Sequence, residues 1–333
     1  MTGAGGRLED SGPFEVVCVG AHILDVLGRP VTEIPAGQGG ARLEQIRLTA
    51  AGTAAATAVD LARLGVRVAS VGCVGTDEVG DLLLVLMGRH GVETVGVRRT
   101  DAAQTSATIL PIRPNGERPA LHVVGANSHF RADAVDPSLF ADAPLVHLGG
   151  LDTTGAFLHD DALAFVDELR QRGCRLSLDL LGARPSAVAS SLRPLFAHVD
   201  WLCPNEEQLG DLYGVDDPAE AARAALDDGV GAVVVSLGAD GCLVMTADGA
   251  TGVPARQVDV VDTTGCGDAF SAGLIVGLLQ GRDVVGAAQL GVVAGALAAT
   301  GLGSDAGLTD LPALLKAEQD LPVRQPARPF SRR

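Results

Sequence analysis

The chain has 333 residues, of which 47% are hydrophobic and 3% aromatic, and its 25 Lys+Arg against 41 Asp+Glu give a formal net charge of −16. That length can bury a sizeable core as one large domain or two, and the apolar fraction excludes a disordered chain. The acidic balance argues against an electrostatic binder of nucleic acid or of an anionic membrane; it leaves an anionic substrate open, because a local field can oppose the global sign.

In chain order, residues 1–13 lack the basic start and apolar stretch of a signal peptide and are expected to form a flexible tail. Residues 14–20 are a β-branched run closed by glycine and predict a buried strand. A helix is predicted over 53–64, stopped by Gly65, then a strand over 67–72 and a helix over 77–89. The alternation resumes with strands over 145–148, 175–179, 199–203 and 232–237. Helices are predicted between and after them, over 156–172, 206–213, 218–228, 267–279 and 284–299. Strand-then-helix repetition predicts a mostly parallel sheet covered on both faces. Two stretches, 28–48 and 105–124, instead alternate polar with apolar residues around turn signals at Pro35-Ala36-Gly37 and Pro114-Asn115-Gly116. They predict a small β element beside the main sheet, placed as a lid would be. The proline-rich end, 321–333, is expected to be a second flexible tail.

The six cysteines are scattered without a CxxC pair, so buried reduced thiols are expected. The seven histidines show no metal-ligand spacing, and His22, His122, His129 and His147 read as ordinary polar positions, although His22, three residues before Asp25, leaves a substrate contact open. The apolar run 269–279 is too short to span a bilayer. A cytoplasmic protein is expected.

The segment carrying chemistry is Asp262-Thr263-Thr264-Gly265-Cys266-Gly267-Asp268-Ala269-Phe270-Ser271-Ala272-Gly273. Its two glycines let the backbone aim N–H groups at one point, and the helix that follows adds its positive end. This is a cradle for a phosphoryl group, and Asp268 in the first turn can take a proton from an attacking hydroxyl. In isolation, Asp268 could equally serve only to complement the helix dipole. No Walker-type Gly-Lys-Ser/Thr is present, and Gly72-Cys73-Val74-Gly75 lacks the dinucleotide-binding spacing.

The longer string closely resembles the C-terminal signature of the ribokinase/PfkB family of carbohydrate kinases, and the resemblance runs in matching order from about residue 16 to 307. Val19-Gly20 with Asp25, Ala51-Gly52-Thr53-Ala54-Ala55 through Leu64-Gly65, and Val71-Gly72 through Gly80 are similar to the family's N-terminal segments. Gly125-Ala126-Asn127, Pro204-Asn205-Glu206 and Ser236-Leu237-Gly238 with Gly241 also fall where the family has them. The resemblance implies that Asp268 is the base and that the backbone of Gly265, Cys266 and Gly267 forms the anion hole. It implies acceptor binding by Asp25, Gly52 and Thr53, and an ATP side lined by Asn205, Ser236, Gly238 and Gly241. Asp262 and Thr264 resemble positions that hold an activating potassium ion, and magnesium would bridge the ATP phosphates, mostly through water. A homodimer that pairs lids is implied as well.

The pattern departs from the family at four places. Ala56 stands for the usual asparagine, Gln208 for the glutamate of an Asn-x-x-Glu motif, Leu180-Leu181-Gly182 for a more polar string, and Gly149 for an acidic ribose ligand. These changes argue against a ribokinase in the strict sense. The expectation is therefore an α/β, ribokinase-like three-layer sandwich over 14–318 with a small β lid. Its expected activity is an ATP-dependent transfer of the γ-phosphate to a hydroxyl of a sugar or sugar-like substrate. A nucleoside kinase of the same family, or a catalytically weak sugar- or nucleotide-binding regulatory protein, are the alternatives.

Overall fold

In the computed structural model, residues 13–182, 184–320 and 328–329 are described; the flexibility expected for 1–12 and for most of 321–333 falls outside them. The strands are β1 Val16–Gly20, β2 Ile23–Arg29, β3 Gln45–Ala51, β4 Val68–Gly75, β5 Glu93–Thr100, β6 Ala107–Pro111 and β7 Leu121–Val123. They continue with β8 Leu145–Gly149, β9 Arg175–Asp179, β10 Trp201–Leu202, β11 Ala232–Ser236, β12 Cys242–Thr246, β13 Gly249–Val253 and β14 Arg328–Pro329. The helices are α1 Thr53–Arg63, α2 Glu78–Arg89, α3 Ala162–Gln171, α4 Ala189–Leu192, α5 Glu206–Tyr213, α6 Pro218–Asp227, α7 Cys266–Leu279, α8 Val284–Ala298 and α9 Leu311–Asp320.

Ten strands form one sheet in the order β14-β13-β12-β11-β10-β9-β8-β1-β4-β5, parallel from β11 to β5 and antiparallel from β11 outward to β14. Side chains alternate across this sheet, and both faces are apolar. Val16, Cys18, Val234 and Val244 pack in one layer with α1, α7 and α8, whereas Val17, Val19, Val233 and Leu243 pack in the other with α3, α5 and α6. This is why the strands read as unbroken hydrophobic runs.

Helix α7 is apolar all round and, from Ala269 to Leu278, is buried. It lies against α8 at close range: a Cβ added at Gly277 would stand 2.7 Å from Ala287 Cα, and one at Gly273 2.8 Å from Ala294 Cβ. The helix that presents Asp268 is thereby held by backbone proximity on one side and by the sheet on the other. Among the described residues, no helix is long and apolar enough to cross a membrane.

The second sheet has four strands in the order β3-β2-β6-β7. Its first strand starts at Ile23, earlier than the alternation beginning at residue 28 suggests, and most of 30–44 is a loop. The early residues Ile23 and Leu24 are buried, so their burial masked the alternation by which the rest was recognised. Asp77 ties this sheet to the main body. It caps α2 through Gly80 N–H and also accepts from Thr105 N–H at 2.8 Å and Thr105 Oγ1 at 2.6 Å.

Candidate functional site

Three peptide geometries build the first half of the candidate site, at the start of α7. Gly265 has φ +77° and caps α7, and an added Cβ there would lie 2.4 Å from Ser304 Cα, so only glycine fits. Gly267 faces open space, which lets a ligand approach its backbone. The Cys266 N–H reaches Thr263 O at a long 3.4 Å, and the amides that follow open the helix without intrahelical partners. Asp268 sits in this first turn with Oδ1 buried and free of hydrogen bonds. Burial, then the nearby charge of Asp25, pushes its pKa up to about 7, against a smaller opposing pull from Arg118.

The second half of the candidate site comes from the inner face of the small sheet. Strand pairing sets Thr49, Asp25, Thr108 and His122 side by side across β3, β2, β6 and β7. Thr108 Oγ1 lies 3.0 Å from His122 Nδ1, and its hydroxyl also bonds Asp25. Burial raises the Asp25 pKa to about 6, opposed by the Thr108 hydroxyl and the charge of Arg118. Gly52, with φ +83° and Ala21 O only 2.6 Å from where a Cβ would stand, caps α1 and delivers Thr53. The Thr53 hydroxyl is buried and unpartnered. Thr108 and His122 were not singled out as site residues from sequence, because only the strand register brings them beside Asp25.

Ser236, Gly238, Gly241, Cys266 and Gly267 line one cavity of ≈ 620 Å³, whose other walls include Val258, Phe270, Val292 and Ala296. Gly241 holds φ +96°, and a Cβ there would lie 2.0 Å from Val253 O. Asn205 does not line this cavity. It bridges to Ser236 and caps α5, its Oδ1 accepting from Gln208 N–H at 2.8 Å. Val292 and Ala296, four residues apart on α8, were the detectable sequence signal for the remaining wall.

Asp262 is buried. Its Oδ1 accepts from Thr264 N–H at 3.1 Å and Thr264 Oγ1 at 2.9 Å, and its Oδ2 from Gly303 N–H at 2.9 Å. Two further acids behind the cradle escaped sequence reasoning. Asp179 accepts from Ser271 Oγ at 3.0 Å and Leu180 N–H at 2.8 Å. Asp60, on α1, is fully buried with neither oxygen hydrogen-bonded. Burial first, then the charge of Asp268, holds both carboxyls well above the usual range.

The departures from the family pattern have local explanations. Gln208 completes a capping box by accepting from Asn205 N–H at 3.0 Å, and its Nε2 donates to Leu180 O at 3.1 Å, which a glutamate could not do. The Leu180-Leu181-Gly182 string is held by Asp152, which accepts from Leu181 N–H at 3.0 Å and Gly182 N–H at 2.6 Å. His22 offers no free ring nitrogen: Nδ1 lies 2.9 Å from Gly20 O and Nε2 2.9 Å from Ser70 Oγ. The substrate contact left open for it is therefore replaced by a structural role, and burial lowers its pKa to about 4. All six cysteines are free, and burial pushes the Cys266 thiol up to about 12, so the cradle owes nothing to thiolate chemistry.

The pattern describing the pfkB family carbohydrate kinase matches residues 14–311. An ATP-dependent ribose-1-phosphate kinase of Halopiger xanaduensis is 32% identical over 272 residues, covering 81% of this chain and 86% of the relative. An aminoimidazole riboside kinase of Salmonella typhimurium is 31% identical over 67% of this chain and 72% of its own. The fold is similar to that of an Arabidopsis thaliana ribokinase complexed with ribose and ATP, with a TM-score of 0.78 at 22% identity over 92% of this chain and 99% of that one.

The Gln208 arrangement makes a stability prediction. Gln208→Glu keeps the acceptor for Asn205 but loses the donor to Leu180 O and buries a charge, so it is expected to destabilise the fold by roughly 1–3 kcal/mol at neutral pH. Urea unfolding at pH 7 measures this; an unchanged midpoint would remove the structural account of that departure.

Proposed function

The chain belongs to the PfkB family of carbohydrate kinases, phosphotransferases with an alcohol acceptor, and we propose that it transfers the γ-phosphate of ATP to a hydroxyl of a sugar or sugar-like acceptor with Asp268 as the base. The observation that carries the reading is the unpartnered Asp268 oxygen at the start of α7, between the large cavity and the polar row of the small sheet. A base needs a free lone pair within reach of the acceptor and a pKa near the working pH; a carboxyl raised to about 7 has both.

The adenine ring would lie in the cavity between Val258, Phe270, Val292 and Ala296, with its phosphates running toward Gly267. The amides of Gly265, Cys266 and Gly267 would receive the charge that develops on the phosphoryl oxygens. Asp25, with Thr108 and His122 beside it, and Thr53 would orient the acceptor hydroxyls, and closure of the small sheet as a lid would exclude water. Magnesium would be held by the ATP phosphates and water and would neutralise their charge. Buried Asp262 has no cationic partner among the described residues, and the Thr264 hydroxyl donates to it while keeping its own lone pairs free. Those oxygens suit a monovalent cation such as potassium.

The outer face of the small sheet argues for a second copy of this chain as partner. Leu48, Val26, Ile109 and Leu121 form one row across the four strands, and Leu48, Ile109 and Leu121 are 42%, 56% and 60% exposed. A contiguous apolar row of this kind on a sheet face is a surface for association.

Two experiments follow. With MgATP and KCl across sugars, polyols and nucleosides, Asp268→Asn is expected to retain nucleotide binding and lose roughly 10²–10⁴-fold in ADP release. Because the base acts when ionised and its pKa is raised, wild-type kcat/KM should be level above about pH 7 and fall toward tenfold per unit below it. Turnover that survives in Asp268→Asn, with the same pH profile, would remove Asp268 as the base. Ile109→Glu combined with Leu121→Lys is expected to convert a dimer to a monomer in sedimentation velocity; a wild type that already sediments as a monomer would refute the lid pairing.

A further inference from the structure

Arg118 is a cation of the small sheet that sequence reasoning passed over. It leaves the β6–β7 hairpin just after the tip, where Arg113 N–H donates to Glu117 O at 2.8 Å and Gly116 N–H to Arg113 O at 2.9 Å. Its side chain crosses to the loop before α7, and Nε donates to Thr263 Oγ1 at 3.2 Å, between residues 145 apart in sequence. Thr263 and Gly267 both line the large cavity, so the guanidinium stands at the junction between that cavity and the polar row around Asp25. Among the described residues, no carboxylate lies within ion-pair distance of it, and its two terminal nitrogens are without protein partners. Its charge nevertheless favours the ionised forms of Asp25, Asp268 and Cys266 together.

A guanidinium offers paired donors in a plane that matches phosphoryl oxygens. Here it faces a space bordered by backbone amides on one side and by carboxylates on the other. Any phosphoryl group entering that space meets the repulsion of Asp25, Asp262 and Asp268, and Arg118 is the side chain placed to offset it. We propose that Arg118 clamps the phosphoryl group in transfer from the lid side, opposite the Gly265–Gly267 amides. The proposal rests on the reading of the cavity as the ATP site. Because the arginine rides on the hairpin, the cradle gains its side-chain cation only when the hairpin is down. Bringing the hairpin down and neutralising the transferred group are thereby one event.

A phosphate carried by the acceptor would present the same chemistry to Arg118, so the experiment separates the two sources. Titration calorimetry in magnesium buffer would measure AMP-PNP, ADP, ribose and ribose 1-phosphate against the wild type, Arg118→Ala and Arg118→Lys. Arg118 is exposed, so both variants are expected to fold, and melting curves check it. The expected result is a loss of about tenfold or more in AMP-PNP affinity for Arg118→Ala, with ADP changed less than twofold and Arg118→Lys intermediate. Unchanged affinity for both nucleotides overturns the proposal. So does a loss confined to ribose 1-phosphate, which would give the arginine to a phosphate on the acceptor. None of these titrations needs turnover: a kinase with Asp268 as base and an indifferent Arg118 sinks this proposal alone, whereas a wild type that binds neither nucleotide sinks the ATP site as well.

Discussion

An acid with no hydrogen-bond partner at one of its oxygens, placed at the start of a buried helix, is the constraint around which this molecule is arranged. A buried, unpartnered carboxyl oxygen costs on the order of 1–3 kcal/mol. Asp268 bears that cost, and Asp60 behind it leaves two more oxygens unpaired. Nothing in the polar network repays it. The repayment comes from apolar packing of α7 between α8 and the ten-stranded sheet, where the glycines at 273 and 277 allow near contact of two helix backbones. The close-packed helix pair thereby fixes where Asp268 stands.

The same acids show how charge is distributed through the site. Asp25, Asp60, Asp179 and Asp268 all have raised pKa values with burial as the first cause, and the charge of Asp268 adds to the shift at Asp60 and Asp179. Groups coupled in this way do not all ionise together, so protons gather on the deepest carboxyls and the charge stays with the more accessible ones. Burial holds the Asp60 and Asp179 carboxyls well above the usual range, and Asp268 and Asp25 lie nearer the ligand space. In this acidic protein, backbone amides and one arginine supply a local positive field beside those acids.

The donor half was legible in the sequence because its geometry is written in glycine. Gly265 and Gly241 each hold a positive φ with backbone atoms where a Cβ would go, so residue type and spacing carry the shape directly. The buried strands were legible for a similar reason, since burial on both faces produces continuous apolar runs. Strand β5 and the β12–β13 hairpin were missed: β5 reads Glu93-Thr94-Val95-Gly96-Val97-Arg98-Arg99-Thr100, too polar for that pattern, and β13 carries two glycines among its four half-buried positions. The departures at Ala56 and Gln208 were visible as departures, but only the structure shows that Gln208 is tied to the Leu180 carbonyl.

The acceptor half was legible only at Asp25, Gly52 and Thr53, and the cause is physical. Its residues come from four strands whose neighbours are set by pairing register, so Thr49, Asp25, Thr108 and His122 meet without any spacing that announces it. On α1, Thr53, Ala56, Thr57 and Asp60 fall three or four residues apart and so on one side of the helix. There the side chain at 56 is shortened to a methyl, while the hydroxyls of Thr53 and Thr57 remain buried and unpartnered. Two unpaired hydroxyls flanking a shortened side chain leave hydrogen-bonding capacity that the protein itself does not use. An acceptor that satisfies them would be favoured over one that leaves them empty, because a site with buried polar groups discriminates most strongly by what it leaves unpaired. On the proposed reading, the choice of acceptor would lie with the small-sheet row and this face of α1, and the phosphate chemistry with α7.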